Sequence, residues 1–305
     1  MRHLICLFVV CFFGACPKER DASGVAGQAA TGAAQQPVQA VAQRITNPFL
    51  YRIEKGTAVS YALGTFHVGV MASQLPDEVN AAMRSAKTAV FETEMPTGPA
   101  LQRLITRTDG RTLRQELGEK HWAILVKKFG AGAEQLNSFT TAMVTMFVMM
   151  SDLPRRPGLD IELLAQVKSY GLATQFLEDI NAQAALLTKF YDVNLLRLYV
   201  EQPQLAIQGL TKMQTYYEAG DAQGLVTEMQ DESAWRLAGK DHMFVQAFNK
   251  EMLDDRTQNW LIALGPQFDA GGLFIAVGVG HLIGEKGLIA LLEKQGYQVT
   301  RISAK

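Results

Sequence analysis

The chain has 305 residues, enough for one large domain or two ordinary ones around a sizeable buried core. Its 29 Lys and Arg nearly cancel its 30 Asp and Glu, and the basic residues form no long run, so nothing electrostatic favours a nucleic-acid partner. All three cysteines, Cys6, Cys11 and Cys16, lie in the N-terminal segment, which leaves the body without a disulfide, a thiol nucleophile or a cysteine-ligated zinc.

The first residues place Arg2 and His3 before an apolar run, Leu4 to Phe13, that is too short to span a bilayer as a helix and has the layout of a secretory signal. It ends in Phe13-Gly14-Ala15-Cys16, which resembles the lipobox of bacterial lipoproteins, with Cys16 as the residue to be lipidated; Phe13 departs from the smaller aliphatic residue usual there. The expected organisation is therefore a signal over 1–16, a tether over 17–44 and a folded body over 45–305. The tether is rich in Ala, Gly and Gln and too poor in large apolar groups to repay the entropy of ordering. The expected location is the cell envelope, on a membrane through a lipid anchor, or periplasmic or secreted if Cys16 is left unmodified.

From Phe49, two apolar runs flank Lys55-Gly56 and read as a hairpin turning on the glycine. Pro76 to Ala86 reads as a helix entered at a proline, with Val79, Ala82, Met83 and Ala86 at spacings of three and four, and "TAVFETEM" follows as a strand. Residues 99–150 read as a helical insertion. Its most apolar stretch, "FTTAMVTMFVMM", puts Met143, Met146, Phe147 and Met150 on one helical face, where methionine suits core packing. A helix from about Asp160, a strand ending near Leu177, a second helical insertion over about 190–248, a helix over 249–264, strand 273–277, helix 286–295 and strand 297–302 complete the chain. The alternation of strand and helix predicts an α/β fold.

Five strand or helix ends and one helix face carry candidate chemistry. Gly64-Thr65-Phe66-His67 and Gly278-Val279-Gly280-His281 each set a histidine three residues after a glycine at the end of an apolar strand, in a chain with only five histidines. Glu92 and Glu94 end another strand at the two-residue period that points both carboxylates to one face. Arg256 stands on the apolar stripe of Leu253, Trp260 and Leu264, where a guanidinium needs an answering carboxylate, such as Glu92 or Asp160, or a substrate anion. Asp160 opens its helix, either as an N-cap or as a site residue, and Glu178 lies just past the strand "TQFL". There is no Gly-x-Ser-x-Gly elbow, P-loop or dinucleotide fingerprint.

With "YALGTFHVG", "AVFETEM", "GLDIELLAQVKSYGLATQFLEDINAQAALL", "LDDRTQNWL" and "AVGVGHLIGEKGLIALLEKQGYQVTRI" in this order, the chain resembles the TraB/GumN family, bacterial relatives of the Tiki metalloproteases, from about Phe49 to Ile302. The resemblance implies a central mixed β-sheet flanked by helices. It also implies a site built from His67, Glu92 or Glu94, Arg256 and His281; Asp160 and Glu178 are candidates for substrate or structural support by their own positions. By this likeness the chain is a metal-dependent hydrolase, a peptidase, in which His67, His281 and one glutamate hold a divalent ion. The other glutamate activates water, and Arg256 stabilises the oxyanion. Zinc, manganese and cobalt all suit such ligands. The family's kinship with erythromycin-esterase-like hydrolases and a haem-binding lipoprotein keeps a second reading open, a non-catalytic lipoprotein that captures a peptide, a signal molecule or haem.

Overall fold

The computed structural model describes residues 44–94, 96–153 and 158–304. The signal, Cys16 and nearly all of the tether lie outside the described residues. Six strands, β1 (Leu50–Lys55), β2 (Ala58–Thr65), β3 (Thr88–Thr93), β4 (Ala173–Glu178), β5 (Leu273–Gly278) and β6 (Gln298–Ile302), form one mixed sheet in the order β4-β3-β5-β2-β1-β6. The α/β class with helical insertions is thus what the chain adopts.

The hairpin β1–β2 turns at Gly56, whose φ of +60° lies in the left-handed region that glycine enters without steric cost. β2, β5, β3 and β4 run parallel. β5 is buried at every position and reads Leu-Phe-Ile-Ala-Val-Gly, as expected of a strand covered on both faces. Because these four strands share one direction, their carboxyl ends lie along one edge, the place where α/β sheets gather their functional loops.

Between β3 and β4 the first insertion includes the helices Gly98–Ile105, Glu119–Phe129 and Thr141–Met150 before the helix Leu159–Ser169 returns the chain to the sheet. In Thr141–Met150, Met146 is fully buried and Met143, Phe147 and Met150 pack against the core, so the methionine face is a packing surface. A second series of helices, Ile180–Phe190 through His242–Asn249, lies between β4 and the last long helix. Among the described residues no helix is long and apolar enough to cross a membrane.

The expected helix over 249–264 differs in two respects. It opens with a π-helical turn, Lys250–Asp254, in which the Asp255 N–H reaches back five residues to the Lys250 carbonyl. It then runs as an α-helix, Asp255–Ala270, straight through Pro266. The proline removes the donor for the Ile262 carbonyl, on a residue that is 71% exposed, and the helix continues because its inner face, with Leu264 and Phe268, is anchored in the core.

Candidate functional site

The two Gly-x-x-His segments interlock across the β2–β5 pair, where Thr65 is in register with Gly278. A Cβ on Gly64 would come within 3.0 Å of Val279 Cγ2, inside the second segment. A Cβ on Gly278 would come within 2.9 Å of His67 Nε2, inside the first, and 3.2 Å of Glu92 Oε1. Each glycine therefore makes room for the other segment, which explains the residue type without any appeal to turn geometry. Gly278→Ala is expected to destabilise the fold by about 1–3 kcal/mol, the usual cost of overpacking, since His67 and Glu92 are both anchored and cannot yield freely. Urea unfolding beside the wild type measures it, and an unchanged midpoint would mean that the ring moves aside at no cost.

His67 is buried and its Nδ1 pairs with Asp160 Oδ2. Thr65 Oγ1 donates to the other oxygen, Asp160 Oδ1, at 2.5 Å. Asp160 lies in the first turn of Leu159–Ser169, whose N-cap is Gly158, so its side chain serves the sheet edge and not its own helix. That corrects the N-cap alternative: Gly158 holds the N-cap position, and the Asp160 carboxylate, inside the first turn, is turned to His67 and Thr65. The Nε2 of His67 is buried with no hydrogen-bond partner.

Arg256 fills the centre of the site. Its Nε donates to Glu178 Oε1 and Oε2 at 3.0 Å, and its Nη2 donates to Glu92 Oε2 at 2.9 Å and to Glu178 Oε1. Its Nη1 donates to the Met252 carbonyl at 2.7 Å and to His281 Nε2 at 3.2 Å. A guanidinium has five N–H bonds, and these acceptors account for all of them. The partners of the buried cation are thus Glu92, as expected, and Glu178 in place of Asp160. Glu92 Oε1 also accepts from the Gly278 N–H at 2.7 Å, and Gln183 Nε2 donates to Glu92 Oε2 at 3.3 Å.

His281 is buried and stacks obliquely on Trp260, with ring centroids 4.3 Å apart. Since Arg256 can only donate, His281 Nε2 is an acceptor; its Nδ1 therefore carries the proton and donates to Thr257 Oγ1 at 2.8 Å. Burial, the Arg256 charge and the His67 charge hold this imidazole well below its ordinary pKa, so it is neutral. For His67 burial works in the same direction but the Asp160 carboxylate outweighs it, and the pKa is raised. Asp160 is lowered, burial being overcome by the charge and hydrogen bond of His67 and the hydrogen bond from Thr65. Glu92 is raised by burial, which Arg256 and His67 offset only in part.

His67, Glu92, Asp160, Glu178, Arg256 and His281 therefore come together. Glu94 does not: β3 ends at Thr93, the period of two holds only within the strand, and Glu94 is exposed beyond it. Thr65, Gln183 and Thr257 join the site without having been singled out. Thr257 was readable, since it falls on the Leu253, Trp260 and Leu264 stripe as a lone hydroxyl on an apolar face. Of the other described histidines, His121 pairs with Glu201 and His242 with Glu232, both away from this cluster.

The resemblance to metalloproteases predicts that these residues hold a divalent ion. His67 Nε2 is free to ligate, but Glu92 and His281 present their remaining atoms to Arg256, whose guanidinium occupies the position of the cation. Among the described residues no three His, Asp or Glu side chains are arranged to hold an ion. In this arrangement the donor set does not fit a divalent metal.

The chain belongs to the TraB/PrgY/gumN family, whose profile matches residues 49–301, nearly all of the described residues. No curated protein and no solved structure matches it.

Proposed function

We propose that the chain is a hydrolase of the cell envelope, acting on a peptide or a related carbonyl substrate, with His67 as its proton-transfer group. One observation carries this reading: a buried imidazole oriented through Nδ1 by Asp160, with Nε2 left without a partner. That is the base-and-orienter half of a hydrolytic site, and the missing partner is what a substrate or an attacking water supplies. Glu92, with its carboxyl held above the ordinary range, is the second proton-handling group. Arg256 keeps Glu92 and Glu178 in place and contributes a fixed positive field; with every N–H already used, it does not donate to an oxyanion without first releasing a protein acceptor. Anchoring through Cys16 would place this activity outside the cytoplasm.

The test is hydrolysis of a panel of peptides and esters by purified protein, with and without a chelator and added zinc, manganese or cobalt. Turnover that survives chelation supports the dyad. Turnover that depends on metal, together with metal content lost in His67→Ala, would instead show that Arg256 withdraws and an ion takes its place. The pH profile follows from the sign of the His67 shift. A base whose conjugate acid lies above the ordinary histidine value of 6.5 is neutral only at higher pH, so kcat/KM is expected to rise with pH through an apparent pKa above 6.5. An acid limb at or below that value would remove His67 as the base.

One observation favours capture without turnover as a second reading. Beside the His67 loop lies a cleft of about 150 Å³ lined by Phe66, Val68, Leu153 and Leu210, with Thr211 and Gln214 also on its walls. Typical small-molecule sites start near roughly 300 Å³, so this cleft suits one apolar side chain or a small signal molecule better than haem. Titration with haem and with short peptides separates the readings, since tight binding with no product formed supports capture.

A further inference from the structure

We infer that Thr257 is a positioning residue that, together with Arg256, holds His281 as its Nδ1–H tautomer and so keeps Nε2 facing the guanidinium. The inference rests on a continuous chain of hydrogen bonds and not on the hydrolase reading. Thr257 Oγ1 donates to the Leu253 carbonyl at 2.8 Å, and its lone pair accepts from His281 Nδ1 at 2.8 Å. With the Thr257 proton committed to a carbonyl, the hydroxyl offers His281 only an acceptor, so it and Arg256 Nη1, which donates to Nε2 at 3.2 Å, together hold the imidazole proton on Nδ1.

The π-helical turn supplies the other half of the device. It contains Met252 and Leu253, whose carbonyls accept from Arg256 Nη1 and Thr257 Oγ1 respectively. π-Turns widen the backbone ladder locally and recur at functional positions. Here the two carbonyls hold two consecutive side chains, Arg256 and Thr257, which bracket His281 from both ring nitrogens. Every member of the chain is nearly or fully buried, so water does not take over a lost bond.

Thr257→Val keeps the side-chain shape and removes the hydroxyl. His281 then has an Nδ1–H with no acceptor, or it shifts its proton to Nε2 and faces Arg256 donor to donor. Nitrogen-15 NMR of the histidine rings and of the arginine side chains in the full chain reads both atoms directly. The wild type and Thr257→Ser are expected to show His281 as the pure Nδ1–H tautomer. Thr257→Val, or Thr257→Ala should the valine variant not fold, is expected to shift that Nδ1–H signal or lose it to Nε2 and to shift the Arg256 Nε–H resonance. A wild-type His281 protonated on Nε2 would overturn the inference, and so would His281 and Arg256 signals in the hydroxyl-free variant that coincide with those of the wild type.

Discussion

Arg256→Ala is expected to cost about 3–5 kcal/mol of stability, the largest effect of any single substitution in the site. Removing the guanidinium leaves two carboxylates, Glu92 and Glu178, facing each other at a sheet edge where Glu92 is 7% exposed and, among the described residues, Arg256 is the cation that pairs with both. The loss is therefore mainly the penalty of unpaired buried charge, not the forfeited attraction. For a folded domain of this size it corresponds to a fall in Tm of roughly 10 °C. Arg256→Lys restores the charge but not the fork that reaches Glu178, Glu92, Met252 and His281 at once, so it is expected to recover only part of the loss. Urea unfolding of the three proteins decides the matter, and a lysine variant as stable as the wild type would show that the planar geometry is unimportant. Part of the Arg256→Ala loss should be relieved at low pH, where protonation of Glu92 and Glu178 removes the unpaired charges.

Asp160→Asn is expected to lower kcat/KM by about 10²–10⁴-fold on any substrate the wild type hydrolyses, with the fold retained. The substitution keeps the shape of the side chain, yet an amide can offer His67 Nδ1 either an oxygen or an NH₂ group and carries no charge to favour the imidazolium that forms during proton transfer. The same change should lower the pKa of His67, because the carboxylate is what overcomes burial in the wild type. A rate within twofold of the wild type would deny His67 its proposed role. Linkage adds a sign to check. His67, raised in the folded state, contributes stability that is present below its unfolded pKa and is lost as pH rises through the folded value. Asp160, lowered, contributes stability present above its unfolded pKa and lost as pH falls through the folded value. Asp160→Asn should flatten both dependences.

Several site residues were legible from position alone. His67, Glu92, Glu178 and the Gly278–His281 segment all sit at or just past the ends of apolar strands, and a strand end bounded by glycine is visible as a change in local composition. Arg256 was legible as a charge on an apolar stripe. The pairing of these groups was not. Whether Arg256 meets Asp160 or Glu178 depends on β4 lying beside β3 and on the last helix crossing that edge, and both are long-range facts that no local pattern encodes. Glu94 shows the converse error, a periodicity extended one residue beyond the strand that justified it. The π-turn at Lys250–Asp254 left no mark in the helical pattern, because one widened turn shifts the phase by less than the spread of an apolar stripe.

What the sequence determined by itself is the set of parts: the elements of an α/β sheet, the two glycines before two histidines, the acidic strand ends and the arginine out of place on a buried face. These follow from local forces, since strand, turn and helix preferences and the burial of apolar periodicities act within a few residues. What only the tertiary structure decided is how the parts are used. Four parallel strands bring their carboxyl ends to one edge, and there the guanidinium of Arg256 is held by Glu92, Glu178 and His281 while His67 keeps one nitrogen unpartnered. The division has a physical cause, because hydrogen bonds and ion pairs between residues far apart in the chain are fixed by the packing of the sheet and helices, and the free energy of that packing is spread over the entire core.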